Sequence, residues 1–148
     1  MTSLNTPAQT TLTGHPVYNQ TLPCETQAAA HGRRLIRAVL GSWHLDDLTD
    51  AAESIISELV ANAVRHTSCC SIRLLVRRPC EARVHIGVVD RAPSRLPVFG
   101  SVGADDECGR GLILIDALAE RWGYTLLGSH PERGPWGKEI WAELKATP

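Results

Sequence analysis

The stretch Glu58-Leu59-Val60-Ala61-Asn62-Ala63-Val64-Arg65-His66 carries an apolar row and a polar pair on neighbouring lines of one helix. Across residues 46–67, Ala52, Ile55, Ile56, Leu59 and Ala63 recur at the helical period, which predicts an amphipathic helix with one stripe on a core. Glu58 and Asn62 are four residues apart and stack on one face beside that stripe. A carboxylate and an amide one turn apart at a core boundary can hold a hydrated divalent cation, or position a hydroxyl for proton transfer. A solvated helix flank carries the same pair with no chemistry, and the stretch alone leaves both readings open.

The 148 residues are enough for one domain with a sizeable core. With 15 Lys and Arg against 16 Asp and Glu, the net charge of -1 supplies no field for nucleic acid or an anionic membrane. The five cysteines, Cys24, Cys69, Cys70, Cys80 and Cys108, show no CxxC spacing, and a reduced, cytoplasmic protein is expected. The six histidines lie without a zinc-ligand pattern. No apolar run reaches membrane-spanning length, and the start lacks the basic-then-apolar pattern of a signal peptide.

Residues 1–14, rich in Thr, Asn, Gln and Pro, are expected to form a disordered tail, and 15–146 one domain. Residues 15–22 suit an edge strand, and Pro23 suits the first turn of a helix over 24–43. On that helix Leu35, Val39 and Trp43 form one row and Ile36 and Leu40 the next, while Arg33, Arg34 and Arg37 line a face that is either solvated or turned to an acidic partner. Residues 71–77 alternate strictly, Arg78-Pro79-Cys80-Glu81 reads as a turn, and 83–89 answers with Val84, Ile86 and Val88, so the pair reads as a hairpin ending at Asp90. Residues 91–108 lack periodicity and close on Asp105-Asp106-Glu107, the pattern of a functional lid or a disordered loop.

Gly109-Arg110-Gly111 then opens a largely apolar helix from Leu112 to about Arg121. Glycines before a helix let a ligand approach the backbone, and free first-turn amides favour a phosphate, although a tight turn capped by the preceding acids has the same signature. Residues 122–127 and 139–144 read as closing strands around a Gly/Pro-rich turn, with Lys138 at the entrance to the second. The sum is an α+β two-layer sandwich with helices on one face of a mixed, mostly antiparallel sheet.

In this order the segments resemble a known family. The chain looks like the GHKL-type ATPases, which share the Bergerat ATP-binding fold, and most closely like anti-sigma-factor serine/threonine kinases of the RsbW and SpoIIAB kind in their actinomycete form. The stretch from Glu58 to His66 is similar to that family's N box, Val88-Val89-Asp90 to the start of its first glycine box, and Gly109-Arg110-Gly111-Leu112 to its second. Ala119-Glu120-Arg121-Trp122-Gly123 and Gly137-Lys138-Glu139-Ile140-Trp141 resemble downstream segments, so the likeness runs from Pro23 to Leu144.

The resemblance implies ATP and Mg2+ as cofactors, with Asn62 as the metal ligand and Glu58 as the base that activates an attacking hydroxyl. It implies that Asp90 accepts from the adenine amino group and that amides around Gly109, Arg110, Gly111 and Leu112 hold the phosphates, with Lys138 as a phosphate neighbour. His66 lies in the apolar stripe, which favours packing or a contact near the nucleotide over catalysis. Where the family's first glycine box has glycines two and four positions after the aspartate, this chain has Ala92 and Ser94 around Pro93, which reduces backbone freedom there. Two functions are therefore carried forward. One is a kinase that binds a sigma factor or another transcription regulator and phosphorylates an antagonist protein. The other is a catalytically weak ATP-binding module that sequesters a protein partner. The resemblance also implies a homodimer, and neither reading calls for direct contact with nucleic acid or membrane.

Overall fold

The computed structural model describes residues 9–10, 16–66, 70–96, 107–128 and 130–147, with residues 9, 10, 16, 66 and 107–110 described by their backbone alone. The elements are β1 (Gln9–Thr10), β2 (Pro16–Pro23), α1 (Ala28–Ser42), α2 (Thr49–His66), β3 (Ser71–Cys80), β4 (Arg83–Asp90), α3 (Glu107–Leu118), β5 (Arg121–Leu127) and β6 (Gly137–Lys145). The strands form one sheet in the order β1-β2-β3-β4-β6-β5. Every neighbouring pair is antiparallel, so the expected two-layer sandwich is present without the parallel pairing of a mixed sheet. The reason is that β5 and β6 are hairpin partners, and the hairpin docks through β6 against β4.

Alternation puts Ile72, Leu74 and Val76 of β3, Val84, Ile86 and Val88 of β4, and Ile140, Ala142 and Leu144 of β6 on one face. Ile36 and Leu40 from α1, Ile55, Ile56 and Leu59 from α2, and Ile115 from α3 close that face into a single core. Burying side chains of this size stabilises the fold by about 1.5–3 kcal/mol each before chain entropy is counted. The core depends on close approach of α1 and α2. A Cβ on Gly32 would lie 3.0 Å from Ile56 and 3.3 Å from Leu74.

The helix-free face of β4 is buried as well. His85 lies between two carboxylates of β6, with Nδ1 2.8 Å from Glu143 and Nε2 2.8 Å from Glu139, and Trp141 stacks on its ring at 5.4 Å. Arg121 donates to Glu143 at 2.7 Å. Burial by itself would raise the Glu143 carboxyl, but hydrogen bonds from His85 and Arg121 outweigh it and hold the group below its ordinary value of 4.5.

Several boundaries differ from those expected. Residues 24–27 turn before α1 begins, with the Cys24 amide donating to the Cys70 carbonyl at 2.9 Å. A 3-10 turn, Asp46–Leu48, precedes α2. β3 continues through the expected turn at Arg78 and Pro79, because the register shift between Arg77 and Cys80 accommodates a proline, and the reversal falls at Glu81 and Ala82. In the tail expected over 1–14, Gln9 and Thr10 pair with Val17 and Pro16, while 1–8 and 11–14 lie outside the described residues.

Two glycines of α1 should respond oppositely to substitution. Gly32→Val overpacks the α1–α2 contact and should lower stability by about 1–3 kcal/mol. Gly41→Ala meets only Asp46 at 3.9 Å and should raise it by about 0.5–1 kcal/mol, both read from urea denaturation. The lowered Glu143 carboxyl gives a pH signature. Its contribution is complete above 4.5 and is lost as the pH falls through the lower folded value, so Glu143→Gln should flatten the acid limb of the stability profile.

Candidate functional site

Burial of Ile55, Ile56, Leu59 and Ala63 fixes the rotation of α2 and turns Glu58 and Asn62 toward α3. With Leu59, Arg65, Gly111, Leu112 and Ile115 they line a cleft of about 10 Å³, room for a single water. Among the described residues, nothing hydrogen-bonds the Glu58 carboxylate or the Asn62 amide. α3 comes this close because residue 111 is glycine, since a Cβ there would sit 2.6 Å from Glu58 Oε2.

α3 begins at Glu107, five residues before the expected Leu112, so Gly109, Arg110 and Gly111 lie inside the helix. Free amides belong to the first turn, which puts them at residues 107–110 and leaves Gly111 and Leu112, two of the residues expected to hold phosphate, beyond it. The side chains of Arg110 and His66 lie outside the description, as do residues 97–106 of the segment read as a lid.

Asp90 ends β4 directly opposite Lys138 of β6, and both face the helices. Lys138 is fully buried and Asp90 is 2% exposed. The Lys138 ammonium donates to Asp90 Oδ1 at 2.8 Å, to Oδ2 at 2.9 Å and to the Ala92 carbonyl at 2.6 Å, while the Ala92 amide donates to Asp90 Oδ1 at 2.8 Å. Lys138, expected as a phosphate neighbour, is here the partner of Asp90. A buried ammonium requires an anion, and the strand register supplies this one. The signal was present in the chain, because Lys138 shares the parity of Ile140, Ala142 and Leu144 and so has to face inward. Just beyond, the Arg95 amide donates to the Ala92 carbonyl at 3.1 Å, closing a tight turn over Pro93 and Ser94.

A family model described as the histidine kinase-like ATPase domain matches residues 22–141. The chain belongs to the histidine kinase-like ATPase domain family. It is accordingly an ATP-binding domain of the GHKL type. An uncharacterized protein of Streptomyces coelicolor is 46% identical over 61 residues, which is 39% of this chain and 54% of that protein, so the match spans about half the relative's length. Full-length ShkA, solved in complex with AMPPNP, aligns with a TM-score of 0.48 and 16% identity over 87% of this chain and 32% of its own. Among the described residues, no helix is long and apolar enough to cross a membrane, and no three His, Cys, Asp or Glu converge as a metal cluster.

Breaking the buried pair should be costly. Lys138→Met strands Asp90 without a counter-charge and should lower stability by about 3–5 kcal/mol in urea denaturation. Asn62→Ala, at a half-buried position with no described hydrogen bond, should fall within about 1 kcal/mol of the parent.

Proposed function

We propose that this domain is an ATP-dependent serine/threonine kinase of the anti-sigma-factor type. It binds a sigma factor or another transcription regulator, and it switches partners by phosphorylating an antagonist protein. The observation that carries the reading is the pairing of Glu58 and Asn62, both without a described hydrogen-bond partner, in one cleft beside α3. An unpartnered amide and carboxylate at that position fit a cation-bearing polyphosphate. Asn62 would hold magnesium, which when bound neutralises charge across the phosphates. Glu58 then accepts the proton of the acceptor hydroxyl. A wider groove lined by Arg33, Asp50, Glu53, Ser54, Ser57 and Leu114 also opens on Glu58 and gives a partner's serine a route to the base. Ligand sites usually occupy about 300–1,000 Å³, so α3 has to move away from α2 to admit the nucleotide.

The Lys138–Asp90 pair favours the second reading, an ATP-binding module that acts by sequestration with little phosphoryl transfer. Transfer of labelled γ-phosphate to proteins that co-purify with the tagged chain separates the two. The kinase reading expects labelling of a partner serine or threonine, and Glu58→Gln should lower its rate about a hundredfold or more with binding nearly intact. Asn62→Ala should abolish magnesium-dependent ATP binding in calorimetric titration. A stable complex that Glu58→Gln leaves unchanged and that never becomes labelled would favour sequestration. A homodimer is part of the proposal, and mass from light scattering measures it.

A further inference from the structure

We infer that Lys138 occupies the place of a nucleobase amino group on Asp90, so that this chain selects its nucleotide by the phosphate end with little preference for adenine. The inference rests on the proposed nucleotide-site reading, with Asp90 at the base end as the family resemblance implies.

An ammonium has three N–H donors, and all three of Lys138 are spent, two on Asp90 and one on the Ala92 carbonyl. Asp90 also receives the Ala92 amide, so three donors already point at this carboxylate. With Asp90 2% exposed and Oδ1 already holding two donors, a base amino group reaches the carboxylate by displacing the Lys138 ammonium, and it exchanges an ion pair for a hydrogen bond that is charged on the acceptor alone. Burial of both residues removes the water that would compete with the pair.

The departure at Ala92 belongs to the same device. Ala92 supplies its amide to Asp90 and its carbonyl to Lys138, so the Ala92-Pro93-Ser94 turn and the lysine hold each other in place. Gly137 completes it. A Cβ there would come within 2.5 Å of the Asp90 carbonyl, so glycine lets the strand carrying Lys138 approach the end of β4.

Calorimetric titration of the full chain with Mg-ATP and with Mg-inosine triphosphate tests this, because inosine lacks the amino group. The wild type should bind the two within about threefold of each other. Lys138→Ala should bind ATP at least tenfold more tightly than the wild type and prefer it at least tenfold over inosine triphosphate. That gain should vanish in the Asp90→Asn, Lys138→Ala double variant. A tenfold preference for ATP in the wild type would overturn the inference, as would a folded Lys138→Ala protein that keeps the wild-type ratio. Lys138→Ser serves if circular dichroism shows Lys138→Ala unfolded, and the wild-type ratio needs no variant. Absence of binding by wild type and folded variants to either nucleotide would instead defeat the nucleotide-site reading, and this inference with it. Loss of binding in Asn62→Ala, with the wild-type ratio near one, separates the two failures.

Discussion

Everything at the site depends on how α2 is rotated against the sheet. Ile55, Ile56, Leu59 and Ala63 are almost wholly buried, and their stripe admits one orientation of the helix. Glu58 and Asn62 each precede a member of that stripe by one residue, which is about a hundred degrees around the axis. They therefore stand at the rim of the core, facing α3, half-buried and without a described partner. A carboxylate fully inside the core would need a counter-charge, and one fully outside would have no low-dielectric surroundings to work in. The packing of apolar residues, more than any polar contact, sets the position of the chemistry.

The second organising constraint is the two-residue period of β6. Odd positions Glu139, Trp141 and Glu143 face away from the helices and engage His85, while even positions Ile140, Ala142 and Leu144 face the core. Lys138 is even, and the same rule that buries its neighbours buries an ammonium. It is tolerated because antiparallel pairing sets Asp90 opposite, and the turn after β4 supplies a carbonyl for the remaining donor. Removing either partner would leave a buried charge, so the two residues are coupled far more strongly than two surface charges would be.

Much of this was legible in the chain before any coordinates. The α2 stripe, the β3–β4 hairpin, the closing strands and the shared face of Glu58 and Asn62 all follow from periodicity within one element. What periodicity missed depends on contacts between elements far apart in the chain. Lys138 meets Asp90 only because β6 is the neighbour of β4, a register between residues 48 apart. β4 is buried on both faces because β6 lays Glu139 and Trp141 over it, whereas its own alternation predicts one buried face. The early start of α3 is a packing effect of the same kind. Gly109 and Gly111 weaken a helix by local propensity, yet α3 runs through both, and glycine at 111 leaves room for the Glu58 carboxylate. Pro79 marks a turn by local rules, and a bulge overrides it.

The site thus has two ends in opposite conditions. At the α2–α3 end Glu58 and Asn62 have no described hydrogen-bond partner, and the close approach of α3 at Gly111 leaves little space between the helices. At the β4 end the polar groups are satisfied by the protein itself, and the lysine needs no ligand to remain buried. Opening the first end costs helix packing, with an uncompensated carboxylate and amide as the gain on offer to a ligand. Opening the second costs a water-free ion pair and returns a hydrogen bond charged on the acceptor alone. Apparent affinity is the intrinsic affinity reduced by the fraction of molecules already open. If the proposed function holds, a ligand entering at Glu58 and Asn62 displaces packing alone, whereas one reaching Asp90 has to part a buried ion pair as well.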